Sequence, residues 1–340
     1  MLGKLRSPLA LLLILATGIF CITVLSFATI SLTQNETTET AYSFPPDPNS
    51  PEFDRFPVSV NPLAKEIEED PLIDWYVRQH LSLNVDQNRK GRFIERAFSE
   101  LAQMAVFQQL ASPISRTLIV YPGERREEVV KNFGDILRWT SAERETFSTL
   151  VVSQLPAYTD GKFFPGRYVV PKDASPEMVA ELVVAEFSTE VLARYDETVE
   201  AVVPLHDALI IASLLEREAY DFTDMRVISG IIWNRLFIGM PLQLDATLQY
   251  AKGSLKSEAK WWPRVVPADK YINSPFNTYE EKGLPPSPIA NPSLESIVAA
   301  LNPRETDCLF YFHDQDGAFY CSPSYEGHVA LLKEIYGQGR

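Results

Sequence analysis

The chain has 340 residues, of which 46% are apolar, and a formal net charge of −14. This length corresponds to about two domains, and the apolar fraction is sufficient for a sizeable core. The acidic balance argues against a nucleic-acid partner, because nucleic-acid binding requires basic patches that neutralise phosphate.

The N-terminal region contains a candidate membrane anchor. Residues 9–32 are almost wholly apolar and carry no charge, which matches the roughly 20 residues that a helix needs to cross a bilayer. Lys4 and Arg6 precede this run and acidic residues follow it. This asymmetry predicts a cytoplasmic tail at residues 1–8, an anchor in the cytoplasmic (inner) membrane and extracytoplasmic C-terminal domains. A cleaved signal peptide is the alternative, for which "SFAT" offers a weak cleavage site.

The next two segments differ in composition. Residues 33–71 are rich in Thr, Asn, Ser and Pro. A segment of this kind buries too little apolar area to order itself, so it is predicted to be a linker. Residues 72–115 place Phe93, Ala97 and Leu101 at a helical spacing, which predicts a helical stalk of one or two helices.

Residues 116–172 show the order strand, helix, helix, strand. "RTLIVYPGERREEVVKNFGDILRW" predicts a strand, a Pro-Gly turn and a helix from about Arg126 to Trp139. "TSAERETFSTLVVSQL" predicts a second helix with a Ser/Thr cap, and "GKFFPGRYVVP" predicts a closing strand. This βααβ order resembles a LysM-like module, which is a small sugar-binding unit. A packing unit without a ligand fits the same pattern equally well.

Residues 173–337 are predicted to form a mixed α/β domain, which makes the whole chain α+β. Ser175 is predicted to cap a helix that has Pro176 at its first position. Further along, Thr223 is predicted to cap the helix "DMRVISGIIWNRLF", which ends at Gly239.

Two glutamates, Glu216 and Glu218, lie in the stretch "LIIASLLEREAYDF", at the end of a helix predicted to run from Pro204 to Glu218. At about 100° per residue, Glu218 falls between Leu214 and Ile211 on the apolar face, whereas Glu216 falls near the edge of that face. A carboxyl group on an apolar face is costly to ionise, so its pKa should rise towards the range of a general acid. Glu218 is therefore a candidate catalyst, and a solvated last helical turn is the alternative.

The segments that follow are polar and rich in Pro: "MPLQLDATLQYAKGS" and "SPFNTYEEKGLPPSPIANPS". Ordered loops of this kind often carry substrate contacts. No metal-ligand spacing, glycine-rich phosphate loop or Gly-x-Ser-x-Gly turn occurs, so neither a metal nor a cofactor is predicted. Groups suited to hydrogen bonding or stacking on sugars are Asn234, Arg235, Gln243, Asp245, Thr247, Tyr250, Asn277, Thr278 and Tyr279.

Cys308 and Cys321 flank "LFYFHDQDGAFY", an alternating, aromatic-rich pattern that predicts a β-hairpin with Asp316-Gly317 near its turn. In an oxidising compartment the two cysteines can form a disulfide across that hairpin. Two cysteines alone leave the pairing open.

Several motifs together resemble the YceG-like, MltG-type endolytic murein transglycosylases. In order, they are "IASLLEREA", "GIIWNRLFIGMPLQLDATLQYA", "SPFNTYEEKGLPPSPIANPS", "SIVAALNP" and "LFYFHDQDGAFYCSPSYEGH", which cover residues from about 205 to 330. The resemblance implies a membrane-anchored lytic transglycosylase that cleaves the β-1,4 bond between N-acetylmuramic acid and N-acetylglucosamine inside peptidoglycan glycan strands. Its products would end in 1,6-anhydro-N-acetylmuramic acid, and peptidoglycan synthases would be its protein partners.

The resemblance also implies which residue is the catalyst. The second glutamate of the family's "E-K-E-T" element falls on Glu218 in "EREA". It would protonate the departing glycosidic oxygen and then, as a carboxylate, assist attack by the C6 hydroxyl of muramic acid. The chain departs from the family at Ala219, where Thr is usual, and at Leu244 and Ala246 in "LDAT", where the family has "TDPT".

The other matching residues are assigned weaker roles. Asn277 and Tyr279 either contact the sugar or serve as a turn-stabilising Asn and a packed Tyr. Gln243, Asp245 and Thr247 are expected near the same cleft, although Asp245 is favoured slightly as the cap of a helix that begins near Ala246. From the second helix Asn234 and Arg235 would brace Glu218, and Glu216 is expected to be structural.

Two other functions fit the same residues. One is a hydrolytic muramidase in which Glu218 is the acid and Asp245 or Glu216 is the second carboxylate. The other is a non-catalytic peptidoglycan-binding scaffold that retains the fold.

Overall fold

The computed structural model describes residues 55–69, 73, 76, 77, 114–154, 160–255 and 257–337. The predicted tail, the predicted anchor, residues 33–54, 70 and 71 of the predicted linker and nearly all of the predicted stalk lie outside these residues. Among the residues described, no helix combines the length and apolar character that crossing a bilayer requires.

The segment from Arg55 to Glu69 is packed against the core, so the predicted linker is wrong over these residues. It contains a small hairpin of strands β1 (Val60–Asn61) and β2 (Glu66–Ile67). Phe56 and Val60 are 1% and 2% exposed, and the Phe56 N–H donates to the Arg194 carbonyl at 3.0 Å. The Pro-rich composition of the segment gave no sign that Phe56 and Val60 are buried. Their burial favours an ordered segment.

The strand, helix, helix, strand order after residue 114 is confirmed. Strand β3 (Ser115–Val120) is followed by helices α1 (Arg126–Leu137) and α2 (Ser141–Gln154) and by strand β4 (Gly166–Pro171). The strands pair antiparallel from Ser115↔Pro171 to Val120↔Gly166. Their buried side chains pack with those of the helices into one aromatic cluster that includes Phe133, Trp139, Phe147, Phe163 and Tyr168.

Helix α3 (Pro176–Glu190) follows and begins as predicted, since the Ser175 hydroxyl accepts from the Met178 N–H at 3.4 Å. A short 3₁₀ turn (Leu192–Arg194) and helix α4 (Glu197–Val202) lead from it to the centre of the molecule.

Helix α5 (Leu205–Glu218) is the central helix, and Leu205 and all eight residues from Ala208 to Leu215 are buried. It packs against α6 (Phe222–Phe237) and α8 (Leu294–Leu301). The predicted cap of α6 is wrong: Asp221, not Thr223, accepts from the Asp224 N–H at 2.9 Å. A carboxylate two residues earlier in the chain takes the capping position, so α6 starts at Phe222.

Between α6 and α8 the chain forms α7 (Asp245–Gly253), a 3₁₀ helix (Pro267–Tyr271) and a long loop. After α8 come strands β5 (Phe310–His313) and β6 (Phe319–Ser322), which pair antiparallel, and helix α9 (Tyr325–Tyr336). A disulfide joins Cys308 to Cys321 across the hairpin. The described part of the chain thus combines helices with antiparallel two-stranded sheets, in agreement with the predicted mixture of α and β structure.

A buried arginine joins the βααβ unit to α7. The side chain of Arg125, just before α1, is 2% exposed, and its guanidinium lies 4.2 Å above the Tyr250 ring. It donates to the Ser254 hydroxyl at 2.9 Å and to the Tyr250 carbonyl at 3.3 Å. The Tyr250 hydroxyl donates in turn to Asp160 at 2.6 Å. These contacts fix α7 against the βααβ unit.

Candidate active site

The carboxyl group of Glu218 is the meeting point of three segments that are distant in sequence. Glu218 is the last residue of α5. Its Oε2 accepts from the Tyr311 hydroxyl of β5 at 2.9 Å, and its Oε1 accepts from the Ala246 N–H in the first turn of α7 at 3.3 Å. The carboxyl is thus held in one orientation by a phenol and a backbone amide.

The surroundings of Glu218 raise the pKa of its carboxyl. Burial is the main cause, because it disfavours the charged form, and the negative charge of Asp245 acts in the same direction. The hydrogen bonds from Tyr311 and Ala246 favour the carboxylate and oppose the shift without cancelling it. A carboxyl with a raised pKa can hold a proton closer to neutral pH, as a general acid requires. The position of Glu218 on the apolar face of α5 therefore raises its pKa, as expected from the sequence.

Glu216 lies on another side of the same helix. Two residues correspond to a rotation of about 200°, so the two glutamates point in nearly opposite directions. Glu216 accepts from the Ser293 N–H, at the start of α8, at 2.8 Å. Burial raises the pKa of Glu216 as well, and the hydrogen bonds from Ser293 oppose that shift. Its contacts lie between α5 and α8 and agree with the expected structural role.

Asp245 and Tyr279 form a polar pair next to Glu218. The Tyr279 hydroxyl donates to Asp245 Oδ1 at 2.7 Å, and Asp245 is exposed. Burial and the neighbouring carboxylates raise the pKa of the Tyr279 hydroxyl. The Lys270 ammonium lies 4.7 Å from the centre of the Tyr279 ring. Asp245 thus presents a carboxylate to solvent at the start of α7.

The prediction that Asp245 caps α7 is wrong. The helix begins at Asp245 itself, so Leu244 occupies the capping position and no side chain caps the helix. The Leu244 N–H instead donates to the Thr278 hydroxyl at 3.0 Å. Interaction with the distant 278–279 loop displaces the local capping arrangement that the sequence favoured.

Two of the predicted substrate contacts are buried inside this part of the fold. Thr247 is 0% exposed, and its hydroxyl donates to the Leu244 carbonyl at 2.7 Å. Asn277 is 1% exposed, and its amide donates to the Lys270 and Ile272 carbonyls, each at 2.9 Å. Its Oδ1 accepts from the Tyr279 N–H, so Asn277 has the geometry of the turn-stabilising alternative.

Gln243 is exposed and lies in the left-handed region, with φ of 49°. Its N–H donates to the Thr278 carbonyl at 2.9 Å, which fixes the backbone between two buried leucines, Leu242 and Leu244. The side chain is therefore left available to solvent on the same segment as Asp245.

Asn234 and Arg235 brace the hairpin and make no hydrogen bond to Glu218. Asn234 donates to the Thr306 carbonyl at 2.7 Å, and Arg235 Nε donates to the Leu309 carbonyl at 2.7 Å. Arg235 also donates to the Leu242 carbonyl. The expected support of Glu218 from α6 is therefore indirect, through the strand that carries Tyr311.

Tyr311 and the pair Asp224–His313 are site residues that were not predicted from the sequence. Tyr311 belongs to the alternating "LFYFH" stretch, where a hydroxyl among apolar neighbours was the one available signal. His313 Nε2 lies 2.8 Å from Asp224 Oδ2. Among the described residues, no group of three or more His, Cys, Asp or Glu side chains is placed to hold a metal ion.

Comparison with known proteins gives a consistent family. The model of the YceG-like family matches residues 59–334. The endolytic murein transglycosylase of Bacillus subtilis is 35% identical over 170 residues, which cover 50% of this chain and 46% of that protein. The enzyme of the same name from Streptococcus pneumoniae is 26% identical over 248 residues, which cover 65% of this chain and 45% of that protein.

A solved structure is similar as well. The crystal structure of a YceG-like protein from Listeria monocytogenes shares 25% identity at a TM-score of 0.55, covering 63% of this chain and 75% of that one. The matches span less than half the length of the curated relatives. Because the family match extends over most of the sequence and includes Glu218, Asp245 and Tyr311, the chain belongs to the YceG-like family.

Proposed function

We propose that the protein is an endolytic lytic transglycosylase that cleaves peptidoglycan glycan strands, with Glu218 as its catalyst. The observation that supports this most directly is the orientation of one partly buried carboxyl, with a raised pKa, by Tyr311 and Ala246. Membership of the YceG-like family and two relatives named endolytic murein transglycosylase support the same reaction.

The chemistry requires a single carboxyl group. In its protonated form Glu218 would donate to the glycosidic oxygen as the bond between muramic acid and glucosamine breaks. The resulting carboxylate would then accept the proton of the muramic C6 hydroxyl as that oxygen attacks the anomeric carbon. The proton is returned to Glu218, water is not consumed, and the product carries a 1,6-anhydro ring. Because the nucleophile belongs to the substrate, it is present at high effective concentration.

The hydrogen bonds to Glu218 fit both stages. Burial favours the neutral acid before the first proton transfer, and the donors from Tyr311 and Ala246 favour the carboxylate that forms after it. Burial alone would favour proton retention by Glu218, and the two donors alone would favour its early ionisation, so either influence alone would suit only one of the two proton transfers.

Substrate binding is proposed for the side chains that reach the surface around Glu218. Gln243, Asp245 and Tyr279 are exposed or partly exposed and carry groups that can hydrogen-bond to sugar hydroxyls. The remaining predicted site residues would contribute indirectly by holding the loops and the hairpin in place; these are Asn234, Arg235, Thr247 and Asn277.

The proposed domain organisation follows the sequence. Residues 1–8 would be a cytoplasmic tail, 9–32 an inner-membrane anchor and 33–54 a linker to an extracytoplasmic body, where peptidoglycan synthases would be partners. Residues 72–115 would form a stalk, 116–172 a LysM-like unit and 173–337 the catalytic domain. The contacts of Arg125 with Tyr250 and Ser254 support a LysM-like unit that is built into the catalytic body.

One observation favours a second candidate function. The Asp245 carboxylate is close enough to affect the pKa of Glu218, so a hydrolytic muramidase could use it as the second carboxylate. Glu216 does not suit that role, because it is bonded to Ser293 on another side of α5. Mass spectrometry of digested peptidoglycan separates the two functions. Anhydro-muramic ends are expected, and reducing muramic ends would establish the hydrolase instead.

A further inference from the structure

The hairpin of β5 and β6 presents two different faces. Side chains alternate along a strand, so Tyr311 and His313 lie on one face and Phe310 and Phe312 on the other. Tyr311 reaches Glu218, whereas Phe312 packs against His328 of α9 with ring centroids 5.5 Å apart. His313 therefore lies on the face that meets the catalytic candidate.

His313 ties the end of β5 to the corner between α5 and α6. Its Nε2 lies 2.8 Å from Asp224 Oδ2, and the two side chains are only 12% and 9% exposed. Asp224 Oδ2 also accepts from the Tyr220 N–H at 2.9 Å. The Tyr220 ring meets the His313 ring edge-on, with centroids 4.5 Å apart. This corner begins directly after Glu218.

The beginning of β5 is tied to the same helix. Near the C-terminal end of α6, Arg235 Nε donates to the Leu309 carbonyl at 2.7 Å. Tyr311 lies midway between this anchor and the one at His313, and its hydroxyl is 2.9 Å from Glu218 Oε2. The position of that hydroxyl thus depends on both ends of the strand being held.

We propose that His313, held by Asp224, is a positioning residue for Glu218, because it fixes the end of β5 so that the Tyr311 hydroxyl stays on the carboxyl. The proposal rests on the proposed function of Glu218 and adds to it how the donor is kept in place. Tyr311 makes the contact, and His313 acts through it.

The contacts around Glu218 determine the direction in which its pKa should change when His313 is replaced. A donor to a carboxylate favours the ionised form, so losing the Tyr311 hydrogen bond should raise the pKa of Glu218 further. A positive charge on His313 also favours the Glu218 carboxylate, so its removal acts in the same direction. The titratable groups around His313 are Asp224, Tyr220, Glu218 and Tyr311, and Tyr336 of α9 donates to its carbonyl.

The test is the dependence of kcat/KM on pH for the full chain acting on solubilised glycan strands. His313→Phe retains the ring contacts and deletes the bond to Asp224. We expect the basic limb, which reports the acid of the free enzyme, to move up by about one pH unit. At neutral pH kcat should fall several-fold, because the carboxylate that forms in the reaction loses a donor, while KM changes by less than about two-fold.

Two comparisons separate positioning from a general structural role. Tyr311→Phe should shift the limb in the same direction, and His313→Phe combined with Tyr311→Phe should shift it by less than the sum of the two single shifts, because the Tyr311 hydrogen bond is lost only once. His328→Phe makes the same chemical change on the opposite face of the hairpin and should leave the limb where it is in the wild type. A structural defect alone would lower the active fraction and leave the limb unmoved.

The inference is overturned by a limb that stays in place in His313→Phe, or by additive shifts in the double variant. If His313→Phe does not fold, Asp224→Asn removes the same anchor charge and must shift the limb in the same direction. Failure of the proposed function gives a different result, since wild-type protein would then release no anhydro product, or Glu218→Gln would be as active as the wild type.

Discussion

Replacement of Glu218 by Gln removes the proposed proton donor while the shape of the side chain is retained. The amide oxygen of Gln can still accept from the Ala246 N–H, and its NH₂ group can donate to the Tyr311 oxygen once that hydroxyl rotates. Both contacts of the carboxyl therefore have an equivalent in the variant. A loss of activity would then report lost chemistry and not an altered fold.

The expected loss is about 100- to 10,000-fold in turnover, the usual contribution of a positioned general acid. This range corresponds to about 2.7–5.4 kcal/mol of the activation barrier. The assay is release of anhydro-muropeptides from purified sacculi, measured by mass spectrometry. Glu216→Gln is the matched control, because it makes the same change two residues away in a group that is bonded to Ser293, and it should keep activity within a few-fold.

The same substitution should also change stability, with a sign that follows from burial. Folding raises the pKa of Glu218, so the wild-type protein loses stability as pH rises through the folded-state pKa. Each unit of that rise corresponds to about 1.4 kcal/mol. Glu218→Gln carries no charge and should therefore melt at a higher temperature than the wild type at about pH 8, whereas the difference should vanish near about pH 4.

Two results would contradict these expectations for Glu218. Equal release of anhydro products by wild type and Glu218→Gln would remove Glu218 from the reaction. An unchanged or lower melting temperature at about pH 8 would mean that the carboxyl is not held in a setting that disfavours its charge.

Three further outcomes are expected. Asp245→Asn removes a charge that raises the pKa of Glu218, so the basic limb of kcat/KM should move to lower pH; complete loss of activity at every pH would instead favour the muramidase. Arg125→Met removes a buried cation from the Ser254 hydroxyl and the Tyr250 ring, and denaturant unfolding should show a loss of about 3 kcal/mol, whereas no loss would contradict the joint packing. Reducing the disulfide, which closes a short loop of sequence separation 13, should cost about 3 kcal/mol in thermal unfolding, and a Cys308→Ser variant should be insensitive to reductant.

The sequence was sufficient to predict structural elements whose determining contacts are between residues close in the chain. The βααβ order, the Ser175 cap and the extent of α5 all depend on neighbours within a few residues, and each is confirmed. The different positions of the two glutamates on α5 follow from helical geometry alone. The disulfide that the sequence left open is present in the structure.

The errors arise where a distant segment competes with a local one. Asp245 was favoured as a cap, but the Tyr279 hydroxyl, 34 residues away, takes its carboxylate. The segment 55–69 reads as a linker because of its composition, yet Phe56 packs against Tyr195 with ring centroids 6.0 Å apart. Composition and periodicity carry no information about such partners.

The residue that follows Glu218 does not orient its carboxyl group. Ala219 ends α5 with an extended backbone, at φ of −97° and ψ of 156°, and its N–H donates to the Leu215 carbonyl at 3.0 Å. A methyl side chain offers no hydrogen bond to Glu218, so the orientation of the carboxyl depends on Tyr311 and Ala246. One of these donors is a backbone amide that most substitutions at its position would leave in place, whereas the other is a side chain on a hairpin anchored at both ends. Mutations elsewhere in the hairpin should therefore change the protonation of Glu218 mainly by moving the Tyr311 hydroxyl.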